Sequence, residues 1–147
     1  MMKDYMADAL LLLMEKKAYS DITISEITTK AGVNRSTFYR NFNDKGDIIK
    51  HYFNQIIYRH SASVTDEPES IQSYLTETFS HYYRYKNELL LIHKAKLTHI
   101  LLDSFNVILS EIHADKTKKE YDATRYHTGG IYNNYLVWFE GGMTETS

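Results

Sequence analysis

The sequence predicts an all-α protein, a head of short helices joined to a longer helical body. Three observations predict it. The 147 residues include one proline and six glycines, so little interrupts helical hydrogen bonding. Apolar residues recur at three- and four-residue steps, as in Met6, Ala9, Leu10, Leu13 and Met14. Helix-start residues (Thr23, Asn34, Asp44) stand just before new periods begin.

The first helix carries the stripe just named, with Lys3, Asp4, Asp8, Glu15 and Lys16 off it, and should end near Lys17 before the turn AYSD. A second begins at TISE, where Thr23 and Glu26 have the spacing of a capping box. Ile24 and Ile27 form its buried face, and Ala31-Gly32 stops it, since glycine adopts positive φ without a Cβ penalty. The stretch Asn34 to Lys45 reads NRSTFYRNFNDK. Phe38 and Phe42, four apart, would share a face in a helix or a strand alike. The Asn34 cap, the brevity and the stop at Asn43-Asp44 decide for a helix. Asp44 can cap a fourth helix with Ile48, Ile49, Tyr52, Phe53, Ile56 and Ile57 as its stripe, running to about His60. The segment 62–70, ASVTDEPES, holds the proline and no helical period, and reads as a linker. Helices should follow near Ile71–Tyr85, as one or two across Glu88–Ile112, and near Lys119–Phe139, with DKTKK at 115–119 as a loop.

Composition narrows the function. Without cysteine there are no disulfides, thiolate metal sites or cysteine nucleophiles. The longest apolar run, Ala9 to Met14, is too short to span a membrane, and no signal peptide is evident, so a cytoplasmic protein with no membrane partner is expected. No Gly-x-Ser-x-Gly, phosphate-binding glycine loop or usefully paired carboxylates occur, so no catalytic residue is assigned and no enzyme is expected. Seven histidines show no metal-ligand spacing, and His93 and His99 fall on roughly opposite helix faces, so neither metal nor cofactor is assigned. Residues 1–61 carry nine Lys/Arg against seven Asp/Glu, and residues 62–147 eight against twelve, a net of +2 beside −4. That sign suits a nucleic-acid-facing head on an acidic body.

Helix, glycine turn, short helix is a helix-turn-helix, whose second helix can enter a DNA major groove. With Phe38 and Phe42 inward, Arg35, Ser36, Thr37, Tyr39, Arg40 and Asn41 are left outside. Hydroxyls suit phosphate oxygens, and arginine or asparagine suits base edges. Lys45, opening the next helix, could hold a phosphate. By pattern alone, an ordinary helical hairpin with solvated polar residues fits equally well.

Residues 22–49, ITISEITTKAGVNRSTFYRNFNDKGDII, resemble the DNA-binding head of TetR/AcrR-type transcriptional regulators. Thr23, Ile24, Ile27, Ala31, Gly32, Val33, Thr37, Phe38, Tyr39, Phe42 and Lys45 match that family's pattern in register. Thr28, Asn34, Asn41 and Gly46 depart from it, and Gly46 could loosen the joint between head and body. The resemblance implies that Thr23 and Ser25 approach the DNA backbone and that Arg35, Ser36, Thr37 and Arg40 face the groove. It implies phosphate contacts for Tyr39 and Lys45, with Asn41 nearby. It further implies a DNA-binding domain over 1–46 and a helical regulatory and dimerisation domain over 47–147, joined by a connecting helix at about 45–61. The end, GGIYNNYLVWFEGGM, resembles the last helix of one group of these regulators, where it builds a two-fold dimer interface. Gly129, Gly130, Tyr132 and Trp138 would then be interface residues, although Trp138 could equally fill the subunit core. Tyr74, His81, Tyr82 and Tyr85 are candidates to line a ligand pocket, against the commoner role of tyrosines half-buried at helix contacts.

The function implied is a homodimeric transcriptional regulator, a repressor, on a near-palindromic operator, released by a small-molecule inducer of unknown identity. The alternative is a TetR-like co-regulator working through protein partners, its DNA binding secondary or lost.

Overall fold

The computed structural model describes residues 1–63, 70–112 and 117–144. These form eight helices and, among the described residues, no strand. They are α1 (Met2–Met14), α2 (Ile24–Ala31), α3 (Arg35–Asn41), α4 (Lys45–Ser63), α5 (Ile71–Tyr83), α6 (Lys86–Lys94), α7 (His99–Ile112) and α8 (Lys118–Glu140). A 3-10 turn, Tyr19–Asp21, links α1 to α2.

The head is α1 to α3, with the first turns of α4 closing it. α1 buries Met6, Ala7, Ala9, Leu10, Leu11 and Met14, a face wider than the predicted stripe, because α2, α4 and α6 all pack on it. Leu13 is half-buried and Leu12 is exposed. The helix stops at Met14, three residues before the expected end.

α4 belongs to both halves. Its Ile48, Ile49, Ile56 and Ile57 lie in one buried core cluster with Leu10, Ile27 and Phe38 of the head and Tyr82, Leu101, Phe105 and Tyr135 of the body. α4 contributes buried residues to this cluster from Ile48 to Ile57. Its start is built by reciprocal carboxylates. Asp44 Oδ1 accepts from the Asp47 amide at 2.9 Å, and Asp47 Oδ2 accepts from the Asn43 amide at 2.8 Å. Gly46 sits where a Cβ would lie 3.1 Å from Asp44 Oδ1. The glycine leaves room for that cap.

In the body, α4 packs on α5 and α7, and α7 packs on α8. The span predicted as one or two helices is two. The break follows from a Schellman-type closure, in which the Leu97 amide donates to Ile92 O and Lys96 takes a left-handed φ of 62°. α8 begins at Lys118, one residue before the end of the expected DKTKK loop. Thr117 and Glu120 form a capping box there, with the Thr117 amide donating to Glu120 Oε2 at 2.8 Å. Residues 115–116 of that loop, and 64–69 of the expected linker, lie outside the described residues; α4 itself continues to Ser63.

Candidate nucleic-acid interface

Two caps and one glycine set the geometry of α2 and α3. Thr23 Oγ1 accepts from the Glu26 amide at 3.1 Å, and Glu26 Oε2 accepts from the Thr23 amide at 3.1 Å. Lys17 Nζ, 2.8 Å from Glu26 Oε1, holds that carboxyl below its usual range. At the other end Gly32 takes φ 72°, ψ 28°, which lets the Val33 amide close on Thr28 O at 3.0 Å. Thr28, a departure from the resembled pattern, is buried with its hydroxyl donating to Ser25 O.

Only Val33 and Asn34 intervene before α3. Asn34 Oδ1 accepts from the Thr37 amide, the Thr37 hydroxyl and the Ser36 hydroxyl, all within 2.9 Å. Phe38 is fully buried, and Phe42 follows the last helical residue as an extended cap. The Phe42 ring lies 5.8 Å from Phe38 and 6.0 Å from His51, with Lys3 Nζ 5.7 Å from its centroid. The two anchors hold a helix whose residues favour helix weakly.

That fastening leaves Arg35, Ser36, Tyr39 and Arg40 on the surface, with Tyr39 52% exposed. Arg35 Nη2 donates to Tyr39 Oη at 3.3 Å and its guanidinium lies 5.7 Å from the Tyr39 ring centre. The four side chains offer two guanidinium forks and two hydroxyls, donors suited to phosphate and guanine edges. Thr23 and Ser25 are exposed on α2, with the Thr23 hydroxyl already used as a cap.

Three residues of the expected set sit differently. Thr37 is buried, its hydroxyl held between Asn34 Oδ1 at 2.8 Å and Arg40 Nη2 at 3.2 Å, because the cap draws the first turn inward. Asn41 is half-buried and its Nδ2 donates to Thr37 O at 2.7 Å, closing the helix end. Lys45 is half-buried, and its Nζ lies 2.8 Å from Tyr19 O and 2.9 Å from Ile22 O. No spacing rule connects a lysine to carbonyls 26 and 23 residues earlier, so no pattern of residues marks this contact.

In the body, Tyr82 and His81 are buried, while Tyr74 and Tyr85 are half-buried. The Tyr82 ring packs 5.1 Å from Tyr135 and 6.1 Å from His60, and His81 Nε2 lies 3.0 Å from Ile56 O. Desolvation raises the Tyr82 hydroxyl far above its ordinary range, so it stays protonated. The open groove of about 360 Å³ on α5 is lined by Ser70, Gln72, Ser73, Thr76 and Glu77, none of the four candidates. Trp138 is buried in the core of the chain, with Phe79 at 4.9 Å and Tyr135 at 6.1 Å. The opposite face of α8 carries Tyr126 (81% exposed), Gly130, Asn133 and Val137 (65% exposed). Gly129 and Tyr132 are half-buried beside it, and a Cβ on either glycine would meet nothing within 4 Å. Among the described residues no three His, Asp or Glu side chains converge as a metal would require, and no helix is long and apolar enough to cross a membrane.

Residues 8–52 match the family described as bacterial regulatory proteins, tetR family. Among solved structures, the chain is similar to the TetR family repressor AlkX from Dietzia sp. strain DQ12-45-1b, implicated in biodegradation of n-alkanes. The identity is 20% and the TM-score 0.54, over 94% of this chain and 83% of that one, a likeness of fold. No curated protein matches the sequence.

Proposed function

We propose that this TetR-type regulator, whose residues 8–52 belong to the tetR family of bacterial regulatory proteins, binds a near-palindromic operator as a homodimer and represses transcription there. The observation that carries the reading is the α3 surface. Arg35, Ser36, Tyr39 and Arg40 stand exposed on a short helix whose opposite side is fixed by Phe38. Such a helix sits in a major groove with arginines at base edges and hydroxyls at phosphates. Ser25 and the cap of α2 lie toward the DNA backbone beside it.

The outward face of α8 supports dimerisation. Tyr126 and Val137 are large and exposed, and Gly130 between them permits close approach of a second helix. Two-fold symmetry then demands half-sites about one helical turn apart. Repression, rather than activation, follows the description of the similar structure as a repressor. A small-molecule inducer acts in the body by favouring one spacing of the heads. The hydroxyls of Ser104 and Tyr135, buried without a hydrogen-bond partner among the described residues, support a ligand with polar atoms.

Selection of binders from a random-duplex pool tests the reading. The expected product is a palindromic site whose affinity falls steeply with salt. Equal affinity for selected and random duplexes would refute it.

A further inference from the structure

We infer that Lys45 governs duplex binding as a positioning residue, fastening the α2–α3 pair to α4 rather than holding phosphate; this rests on the DNA-binding function proposed above. Its Nζ bonds the carbonyls of Tyr19 at 2.8 Å and Ile22 at 2.9 Å and lies 4.4 Å from the centre of the Tyr19 ring. An ammonium has three N–H donors, so two are committed to main chain while the ring face attracts the charge.

The two carbonyls bracket the 3-10 turn Tyr19–Asp21. Ile22 directly precedes Thr23, the cap of α2, so one side chain ties the start of α4 to the start of α2. Lys45 is also the first residue of α4, where the helix end carries partial positive charge and disfavours a cation. The carbonyl dipoles and the Tyr19 ring offset that repulsion. α2 and α3 pack on each other, and Ile27 and Phe38 share the core. Any shift of the first turn of α4 is therefore handed to the exposed face of α3 through this clamp. A phosphate ligand would instead keep its ammonium free in solvent, whereas Lys45 is half-buried.

The test follows duplex affinity against salt for the full chain and its Lys45→Met and Lys45→Arg variants, with amide hydrogen exchange on the DNA-free proteins. Lys45→Met is expected to weaken binding about tenfold at every salt concentration while leaving the log–log slope unchanged. It should also speed exchange of the amides at residues 20–24. Lys45→Arg, which keeps a cation and several donors, restores both readouts, separating positioning from a general loss of stability. A slope shallower by about one for Lys45→Met overturns the proposal. So does unchanged exchange at residues 20–24, or affinity restored by Lys45→Arg without restored protection. Should Lys45→Met fail to fold, Lys45→Gln, which can still donate to a carbonyl, is read by the same measurements. If the wild-type chain shows no salt-dependent duplex binding, the DNA-binding reading fails and the exchange arm alone decides the clamp.

Discussion

Asn34 holds Thr37 at two points, its Oδ1 accepting from the amide at 2.9 Å and from the hydroxyl at 2.8 Å. One side chain thus caps α3 and also turns Thr37 into the head. The helix needs this, since Ser, Thr, Phe, Tyr and Asn make up most of it.

Asn34→Ala is expected to destabilise the chain by about 1 kcal/mol, the usual worth of an N-cap. Asn34→Asp keeps the acceptor and should remain close to wild type. Urea unfolding followed by circular dichroism separates the two.

Phe38 and Tyr39 are neighbours with opposite assignments. Phe38→Ala empties a fully buried site and should cost about 3–5 kcal/mol. Tyr39→Ala should change stability by under about 0.5 kcal/mol while weakening duplex binding. Equal effects of both on stability would place Tyr39 in the core.

Arg35→Ala should cost about 1–3 kcal/mol of binding and relax preference at one base position, as expected for a base-edge contact. The measurement repeats the duplex selection with the variant. Uniform weakening across all sequences would reassign Arg35 to phosphate.

The rings of His60 on α4 and His81 on α5 lie 4.8 Å apart. Burial, with the neighbouring His81 adding to it, lowers His60 from 6.5 to about 4. Burial also lowers His81, against the bond to Ile56 O and aided by Arg84 and Arg59. Between those values the unfolded chain binds protons that the folded chain refuses. Stability is thus full above about pH 6.5 and falls as pH drops toward 4. Denaturation midpoints at pH 7 and 5 should show the loss, and His60→Gln should flatten it. Asp4 acts outside this window. Its carboxyl is held below 3.8, chiefly by the bond from His51, so its contribution is lost only at lower pH.

Lys96 is exposed and takes φ 62° at the end of α6. An L side chain there costs about 1 kcal/mol relative to glycine. Lys96→Gly should therefore raise stability by about 0.5 kcal/mol after the greater chain entropy of glycine is subtracted. A thermal melt that moves down would contradict this.

Much of the head is legible in the sequence, because its signals are local. Thr23 and Glu26, Gly32, Asn34 and the Phe38–Phe42 pair each act within four residues, so spacing suffices to place them. The body was legible only as helices. Trp138 could have faced a partner or the core, since helical period says which residues share a side and never what covers it. In the folded chain Trp138 is buried against Phe79 and Tyr135.

By itself the sequence determined the caps of α2 and α3, the glycine turn and the Phe38 anchor. Only the tertiary structure decided which side chains of the expected surface stay exposed. Thr37 was drawn inside by the cap, and Lys45 was captured by carbonyls 23 and 26 residues away. Main-chain carbonyls carry no residue identity, so a bond from a lysine to two of them leaves no pattern in the sequence; it exists once α1, α2 and α4 have packed.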